Sequence, residues 1–280
     1  MSFPFVKGHG TRNDFVLLPD LDGTVHGDLE PDIVVALCDR RAGIGADGVL
    51  RVLRGDVDGG AEWFMDFRNA DGSVSEMCGN GLRVFARYLA DAGLVDVSAM
   101  DGPLPVDTRD GIKLVTFCAD EEISVDMGNP KVGDPVVVSL GGVARDGRRV
   151  DIGNPHAVVF VDDLADAGDL AHSPYFCSAE YPGGVNVEFV VRHRPNHVAM
   201  RVFERGVGET CSCGTGACAA VAAVVVADAE SSTGTGRAPD LPATYAVDVP
   251  GGRLTVTWNT DDHIHLKGPA VLVASGTWSV

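Results

Sequence analysis

Two cysteines occupy local sequences that look like versions of one another. Cys78 lies in the segment 77–81 (MCGNG), and Cys213 lies in the segment 212–216 (SCGTG), so each precedes a Gly-x-Gly turn. Each turn leads into a segment with a helical pattern of apolar residues. A thiol at a helix N-terminus faces backbone N–H groups and the positive end of the helix dipole, and both favour the thiolate. The sequence therefore predicts two activated cysteines, one in each half of the chain.

Two thiols placed on opposite faces of one carbon atom could invert a stereocentre. We expect the α-carboxylate of a bound amino acid to accept N–H groups from the two helix starts, Gly79-Asn80 and Gly214-Thr215, an anion site that needs no metal. One thiolate would remove the α-proton, and the other thiol would return a proton to the opposite face, as an epimerase or racemase requires. Free cysteine has a pKa of about 8.5. The helix ends would therefore have to lower the pKa of one thiol, so that its thiolate is accessible near neutral pH.

The remaining pattern is rich in strands, with a helix after each cysteine. The first cysteine helix carries Leu82, Val84, Phe85, Tyr88 and Leu89 at helical spacing, and the second is an Ala/Val run over 217–229. A further helix is expected at 28–39, and the low-complexity stretch 231–236 predicts a loop. Around the turn-like segment 8–14, strands are expected at 3–7 and 15–18. Further strands are expected at 49–53, 63–67, 112–117, 122–127, 136–140, 157–161, 185–190, 199–203, 254–258 and 271–274.

The order of these features indicates an internal repeat. Asn13 and Asn154 each precede an apolar strand, and they are separated by nearly the same length of chain as Cys78 and Cys213. Asn69 lies nine residues before the first cysteine, as Glu204 does before the second. A duplicated α+β unit, each half a sheet with one cysteine-led helix, would make the two helix N-termini face each other across a cleft.

Composition limits the classes of partner and compartment. The 280 residues suggest two domains or one large one, and 45% hydrophobic residues suffice for a core. A net charge of −18 disfavours nucleic acid and anionic membranes, and no run resembles a membrane span or a signal peptide. The acidity fits either adaptation to high salt or a coding bias with a solvated surface. Seven cysteines, an odd number, predict reduced thiols in a cytoplasmic protein.

Six motifs in order resemble those of the diaminopimelate epimerase family, over nearly the whole chain. They are 8–15 (GHGTRNDF), 69–73 (NADGS), 77–81 (MCGNG), 153–156 (GNPH), 185–187 (VNV) and 204–216 (ERGVGETCSCGTG). The resemblance implies an enzyme without pyridoxal phosphate, other cofactor or metal that interconverts LL- and meso-2,6-diaminopimelate for lysine and peptidoglycan synthesis. Its partner would be this small amino acid, and a homodimer is the assembly to test.

The resemblance also implies the fold and the roles of single residues. It implies two pseudo-symmetric α+β domains, each a mostly antiparallel sheet wrapped around a central helix. The domains would be 1–121, joined by a returning strand at about 268–280, and 122–267. Cys78 and Cys213 match the family's acid/base cysteines, and His156 would orient a backbone segment or a cysteine. The carboxylate cradle is matched by Gly79, Asn80, Gly214 and Thr215, and the sites for the ammonium and distal carboxylate groups by Asn13, Asn69, Asn154, Asn186, Glu204 and Arg205.

Two departures and two alternatives accompany this interpretation. Gly48 stands where many members of the family have Gln, and Cys211 stands where Arg or Gln is usual. One alternative keeps the fold but changes the substrate, as in proline racemase-like or phenazine-biosynthesis-like isomerases. The other is a metal or redox module on Cys211, Cys213 and Cys218, although no companion ligand pair lies nearby in sequence. Without the resemblance, each cysteine could also be an inert core thiol, and the asparagines could be turn residues.

Overall fold

The computed structural model describes residues 2–177, 179–233 and 239–279, with only the backbone of residues 232 and 233. The chain forms two compact units. Unit one comprises Met1–Val125 and Gly268–Val280, and unit two comprises Asp126–Lys267. The helices are α1 (Pro31–Cys38), α2 (Gly79–Asp91) and α3 (Gly214–Thr233). The strands are β1 (Ser2–Gly10), β2 (Asn13–Pro19), β3 (Gly48–Arg54), β4 (Trp63–Asn69), β5 (Leu104–Asp107), β6 (Lys113–Phe117), β7 (Ile123–Asp126), β8 (Lys131–Leu140), β9 (Val143–Asp151), β10 (Pro155–Phe160), β11 (Tyr175–Phe176), β12 (Asn186–Arg194), β13 (His197–Glu204), β14 (Gly208–Thr210), β15 (Ala243–Val249), β16 (Gly252–Trp258), β17 (Ile264–Gly268) and β18 (Val271–Ser279).

Unit one is a sheet that surrounds α2. The strands β18, β1 and β2 pair antiparallel, β2 pairs parallel to β3, and β3 pairs antiparallel to β4. After a parallel step from β4 to β5, the strands β5, β6 and β7 are again antiparallel. The helix α2 packs against β1, β2, β3, β4, β6 and β18. Because its residues Leu82, Val84, Phe85 and Leu89 are fully buried, α2 forms the centre of this unit's core.

Unit two repeats the same sequence of pairings around α3. The strands β8, β9 and β10 are antiparallel, β10 is parallel to β12, and β12 is antiparallel to β13. A parallel step joins β13 to β15, and β15, β16 and β17 are antiparallel. The short strands β11 and β14 add to β8 and β13. The predicted α+β fold class, two pseudo-symmetric units of mostly antiparallel sheet around a central helix, is confirmed.

The helix α3 is apolar enough to cross a membrane by length and composition alone. The stretch Gly214–Ser231 has a mean hydropathy of 1.3, yet 61% of it is buried within the protein. The residues from Ala217 to Val225 are nearly inaccessible, because strands of unit two cover them. A helix that is apolar on all sides is expected at the centre of a core, and that position accounts for the composition of α3.

Several element boundaries differ from those the sequence predicts. The predicted loop at 8–14 is a tight hairpin instead, because Thr11 and Arg12 both adopt positive φ (50° and 63°) and form a two-residue turn without the usual Asn-Gly. The predicted loop at 231–236 is wrong at its start, since α3 continues to Thr233 and the Ser231 hydroxyl donates back to the carbonyl of Ala227. The rest of that stretch lies outside the described residues. The sequence did not predict strands β5, β9, β11, β14, β15 and β17.

Candidate active site

Both predicted cysteines cap the N-terminus of a central helix. Cys78 is the N-cap of α2 in an extended conformation (φ −145°, ψ 117°), and the Gly81 N–H donates to its Sγ at 3.4 Å. Cys213 directly precedes α3, and the Gly216 N–H donates to its Sγ at the same distance. A sulfur thus takes the place that a Ser or Asp oxygen usually holds at an N-cap. The repeated Gly-x-Gly motifs therefore build the same local geometry in each unit.

In unit one, three predicted residues meet around one amide oxygen. The Cys78 thiol donates to Asn13 Oδ1 at 3.7 Å, and Asn80 Nδ2 donates to the same oxygen at 3.2 Å. Asn13 Nδ2 in turn donates to Asp47 Oδ2 at 2.8 Å. Since Asp47 also accepts the Asp14 N–H, the side chain of Asn13 is held from both ends. Asp47 is a site residue that the sequence analysis missed, although it lies directly before Gly48.

A buried arginine supports the same group from within α2. Arg83 is completely buried, and its Nη2 donates to Asn80 Oδ1 at 2.8 Å and to Thr11 Oγ1 at 3.4 Å. These bonds fix the Asn80 amide, so that its Nδ2 is directed at Asn13. Arg83 was not predicted as a site residue, although an arginine inside the apolar pattern of a central helix is an unusual feature that could have indicated it.

Four charged groups anchor the start of β2 beside Asn13. Burial alone would raise the pKa of Asp14, but hydrogen bonds and charge from Arg40 and Lys7 outweigh it and lower this pKa to about 2. Burial raises the pKa of Asp47, and the neighbouring Asp14 charge acts in the same direction. Arg40 joins the two carboxylates, at 2.7 Å from each. The position of Asn13 therefore depends on an ion-pair network that the sequence does not reveal.

Asn69 and Gly48 are opposite each other on neighbouring strands. They are register partners in β3 and β4, and Asn69 Nδ2 donates to Ser73 Oγ at 3.0 Å. A Cβ atom on Gly48 would lie 2.5 Å from the Arg68 carbonyl oxygen and 2.7 Å from a ring carbon of Phe67. This backbone therefore has no room for a side chain at position 48, which gives the departure at Gly48 a steric reason.

In unit two, a chain of side chains leads to the buried sulfur of Cys213. Its Sγ lies 3.5 Å from Thr215 Oγ1, and Asn154 Nδ2 donates to that oxygen at 3.3 Å. Asn154 Oδ1 lies 2.9 Å from His156 Nε2. The other ring nitrogen, Nδ1, lies 2.7 Å from Glu188 Oε1. The chain contains the predicted Asn154 and Thr215 and adds Glu188, which the sequence analysis missed.

The predicted polar residues at the start of β12 and at the end of β13 form a second group. The Thr210 hydroxyl donates to Glu204 Oε1, and burial raises the pKa of the Glu204 carboxyl. Asn186 Oδ1 accepts the backbone N–H of Arg205 at 3.0 Å. The exposed guanidinium of Arg205 donates to the Gly183 carbonyl at 3.1 Å. Asn186, Glu204 and Arg205 are therefore neighbours, as their common assignment to substrate binding requires.

The electrostatic surroundings of Cys213 oppose the effect of its helix. Burial raises the pKa of the Cys213 thiol well above its usual value, and the negative charges of Glu204 and Glu188 raise it further. Hydrogen bonds from Thr215 and the Gly216 N–H act in the opposite direction but do not prevail. The expectation that a helix N-terminus by itself favours a thiolate is therefore wrong for Cys213 in this structure, because desolvation outweighs the helix end.

The three cysteines of the alternative metal site have different surroundings. Cys211 is exposed, whereas Cys213 and Cys218 are buried. Within residues 2–177, 179–233 and 239–279, no group of three or more His, Cys, Asp or Glu side chains is arranged to hold a metal ion.

Comparison with known sequences gives one family over most of the chain. The model of the diaminopimelate epimerase family matches residues 5–133 and 148–273. A diaminopimelate epimerase of Streptomyces coelicolor is 53% identical, with 97% of this chain and 94% of the relative covered. Relatives of the same name from Thermobifida fusca and Corynebacterium glutamicum are 46% and 45% identical; the alignments cover 97% and 99% of this chain and 96% and 98% of the relatives.

Solved structures with lower sequence identity share the fold. A probable proline racemase from Agrobacterium radiobacter K84 has a TM-score of 0.70 at 13% identity, covering 99% of this chain and 93% of that one. A hydroxyproline epimerase from Agrobacterium vitis has a TM-score of 0.68 at 13% identity, with coverages of 99% and 92%. A phenazine biosynthesis protein of the PhzF family from Bacillus anthracis has a TM-score of 0.68 at 17% identity, and the whole of both chains is covered.

Proposed function

The chain belongs to the diaminopimelate epimerase family, and from this membership we propose that it interconverts LL- and meso-2,6-diaminopimelate without pyridoxal phosphate or a metal. The observation that carries the proposal is the pair of cysteine-capped helices. In each, the sulfur accepts a hydrogen bond from the N–H of the glycine three residues later. A reaction of this kind serves the synthesis of lysine and of peptidoglycan. We propose the cytoplasm as its compartment and a homodimer as its assembly.

Cys78 and Cys213 are the two acid/base groups of the proposed reaction. One sulfur, as thiolate, takes the α-proton of the substrate, and the other, as thiol, delivers a proton to the opposite face of the resulting carbanion. In the reverse direction the two sulfurs exchange roles. Burial and the Glu204 charge raise the pKa of Cys213 and disfavour its thiolate, which supports Cys213 as the partner that is protonated at rest.

The first turns of α2 and α3 supply the carboxylate cradle. The backbone N–H groups of Gly79, Asn80, Gly214 and Thr215 lie in the first turns of the two helices, where the helix end favours a negative charge. As the α-proton leaves, charge develops on the α-carbon and its carboxylate, and these dipoles stabilise it. This stabilisation is required, because an α-proton beside an ionised carboxylate is a weak acid.

The remaining polar residues distinguish the two ends of the substrate. Glu204 can accept from an ammonium group, and the guanidinium of Arg205 can bind the distal carboxylate in a bidentate pair. Asn13, Asn69, Asn154 and Asn186 complete the proposed contacts with the substrate's ammonium and carboxylate groups. A substrate with a second amino-acid head group uses all of these residues, whereas proline offers only one carboxylate and one ring nitrogen.

Incubation with LL-diaminopimelate in D₂O tests the proposal directly. The purified protein, freed of pyridoxal phosphate, should yield the meso isomer with one deuterium on the inverted α-carbon. L-Proline under the same conditions should show no α-deuterium, and this control separates the proposed substrate from that of the racemases with a similar fold. Absence of meso product and of deuterium from diaminopimelate would refute the proposal.

A further inference from the structure

Behind the Cys213 turn lies a buried ionisable pair whose counterpart in unit one is apolar. His156 and Glu188 are both 0% exposed, and they lie on the parallel strands β10 and β12. In the register of these two strands, His156 is opposite Asn186, and Glu188 follows Asn186 by two residues. In unit one, the equivalent strands β2 and β3 pair Phe15 with Gly48, two residues before Leu50. The pair His156–Glu188 therefore stands where unit one has Phe15 and Leu50.

The positions correspond in three dimensions as well as in register. A Cβ atom on Gly81, in the first turn of α2, would meet Leu50 Cδ2 at 3.2 Å, Cys78 Cβ at 3.4 Å and Phe15 Cζ at 3.6 Å. A Cβ atom on Gly216, in the first turn of α3, would meet Glu188 Oε1 at 2.7 Å and Cys213 Cβ at 3.2 Å. Each helix start thus rests on the same strand position, which is aliphatic in one unit and a carboxylate in the other.

Unit one shows that this fold does not require an ion pair at this place. Desolvating a carboxylate and an imidazole is costly, and apolar residues of similar volume often serve a core equally well. Moreover, Glu188 Oε2 has no hydrogen-bond partner among the described residues, so the pair is not optimised as a structural contact. Buried ionisable groups of this kind beside an acid/base residue point to a role in its chemistry.

The hydrogen bonds connect the pair to the sulfur through Asn154 and Thr215. Because a carboxylate only accepts, Glu188 keeps a proton on His156 Nδ1 and turns Nε2 toward the Asn154 amide. If Nε2 carries a proton, it donates to Asn154 Oδ1, Nδ2 donates to Thr215 Oγ1, and the Thr215 hydroxyl donates to Cys213 as thiolate. If Nε2 carries a lone pair, the Asn154 amide turns over, so that its Nδ2 donates to Nε2 and its Oδ1 accepts from the Thr215 hydroxyl. The Thr215 oxygen then accepts from Cys213 as thiol.

We propose that Glu188 is a positioning residue that acts through His156, Asn154 and Thr215 and matches the hydrogen bonding of the Cys213 sulfur to its protonation state. The proposal rests on the proposed function in assigning Cys213 to proton transfer. The titratable groups that face His156 and Glu188 are Glu204 on β13, Cys213 before α3, and Tyr181, whose ring lies under Arg149. Cys213 is joined to the imidazole by the hydrogen bonds through Thr215 and Asn154, and Glu204 hydrogen-bonds to Cys213 directly.

The decisive variant gives unit two the apolar pair of unit one. In His156→Phe/Glu188→Leu, we expect a folded protein with an unchanged or higher Tm, because a Phe and a Leu already pack at the equivalent positions of unit one. We expect kcat to fall by about 10-fold to 100-fold, as for other outer partners of functional groups, with little change in KM. The alkaline limb of the pH–rate profile should move to lower pH, because the Glu188 charge that raises the pKa of the Cys213 thiol is gone. A folded double variant with wild-type kcat and pH profile would overturn the proposal.

Two further variants keep the test informative if the double variant does not fold. Glu188→Gln preserves shape but removes the charge, and it should show the same loss of kcat and the same displacement of the pH limb. Glu180→Gln removes an exposed carboxylate on the same unit and should leave both unchanged. Equal behaviour of the two variants would contradict a specific role for Glu188.

A measurement without substrate separates this proposal from the proposed function. In protein labelled with ¹⁵N-histidine, the His156 resonances, identified by their loss in His156→Phe, should show a proton on Nδ1 in the wild type and not in Glu188→Leu. A wild-type His156 protonated only on Nε2 would overturn the proposal whatever the activity. If His156 carries its proton on Nδ1 as expected but diaminopimelate is not epimerised, the result contradicts the proposed function and not the role of Glu188.

Discussion

At the scale of single residues, each cysteine combines a structural and a chemical role. Cys78 and Cys213 satisfy N–H groups at helix starts, and the proposed reaction also needs their protons. The two roles can be separated, because a serine oxygen caps a helix at least as well as sulfur but is a far weaker acid.

Cys78→Ser should therefore lose activity without losing stability. We expect the epimerisation rate to fall by about 10³-fold or more, because a general acid/base contributes about 10²- to 10⁴-fold. The free energy of unfolding should stay near that of the wild type, whereas Cys78→Ala should lose about 1 kcal/mol with its cap. Initial rates and urea unfolding of the three proteins measure both quantities. A serine variant that retains most of the activity would exclude Cys78 as an acid/base group.

Asp14 gives a residue-scale prediction for the dependence of stability on pH. Its pKa is lowered from 3.8 to about 2, and its side chain is only 16% exposed. A lowered carboxyl pKa stabilises the folded state above pH 4, and this stabilisation disappears as the pH falls from about 4 to about 2. Asp14→Asn should thus reduce the free energy of unfolding by about 2 kcal/mol at pH 7.

The deficit of Asp14→Asn should shrink as the pH falls below 4. Urea unfolding of wild type and variant between pH 7 and pH 3 measures it. The exposed Asp58, replaced by Asn, serves as the control and should show no such pH-dependent difference. A deficit that is the same at pH 7 and at pH 3 would show that the ion pairs with Arg40 and Lys7 do not cause it.

At the scale of secondary-structure elements, the two cysteine-led helices start alike but rest on different neighbours. The third residue of each helix is a glycine that contacts the strand behind it. Behind Gly81 this neighbour is the flexible end of Leu50. Behind Gly216 it is a carboxylate oxygen of Glu188, which is buried and held by His156. An added methyl group is therefore accommodated more easily in α2 than in α3.

Alanine substitutions at these two glycines should differ in effect. Gly216→Ala should lose about 1–3 kcal/mol of unfolding free energy, because overpacking a rigid core is costly. It should also reduce kcat, since the methyl group would displace Glu188 from His156. Gly81→Ala should lose less than about 1 kcal/mol, because Leu50 can shift and alanine favours a helix. Thermal unfolding and steady-state rates compare the two variants, and equal effects would argue against the rigid carboxylate behind Gly216.

At the scale of the whole molecule, the net charge of −18 is the dominant long-range feature. Like charges at this density repel one another and destabilise the compact state, and salt screens that repulsion. The ion pairs at Asp14, Asp20 and Asp66 offset only a part of the acidic total.

Moderate salt should therefore stabilise the protein at neutral pH. We expect Tm to rise by about 2–4 °C between about 20 and 200 mM NaCl, equivalent to about 1 kcal/mol for a chain of this size. Near pH 4.6, the isoelectric point of the sequence, the same salt should have little effect. Calorimetry at the two pH values provides the measurement. An equal rise at both would assign the effect to the salt itself and not to charge repulsion.

The sequence alone determined the features that depend on short stretches of chain. The Gly-x-Gly turns after Cys78 and Cys213 and the apolar periodicity of the helices are local signals, and α2 and α3 start where those signals predict. The order of six motifs was sufficient for the family and the fold class. Strands such as β5 and β17 were missed, because strands this short carry little periodicity and are defined by their partners in the sheet.

Only the tertiary structure decided the surroundings of the two sulfurs. Asp47 and Glu188 come from parts of the chain distant in sequence from the cysteines, and Arg83 acts through Asn80. Gly48 is explained only by the close approach of the Arg68 carbonyl oxygen and the ring of Phe67. The direction of the Cys213 pKa shift is opposite to that expected from its helix for the same reason. A helix end lowers the pKa of a thiol only within its first turn, whereas desolvation depends on every segment of the chain that covers the thiol. At Cys213 the effect of desolvation on the pKa is the larger of the two.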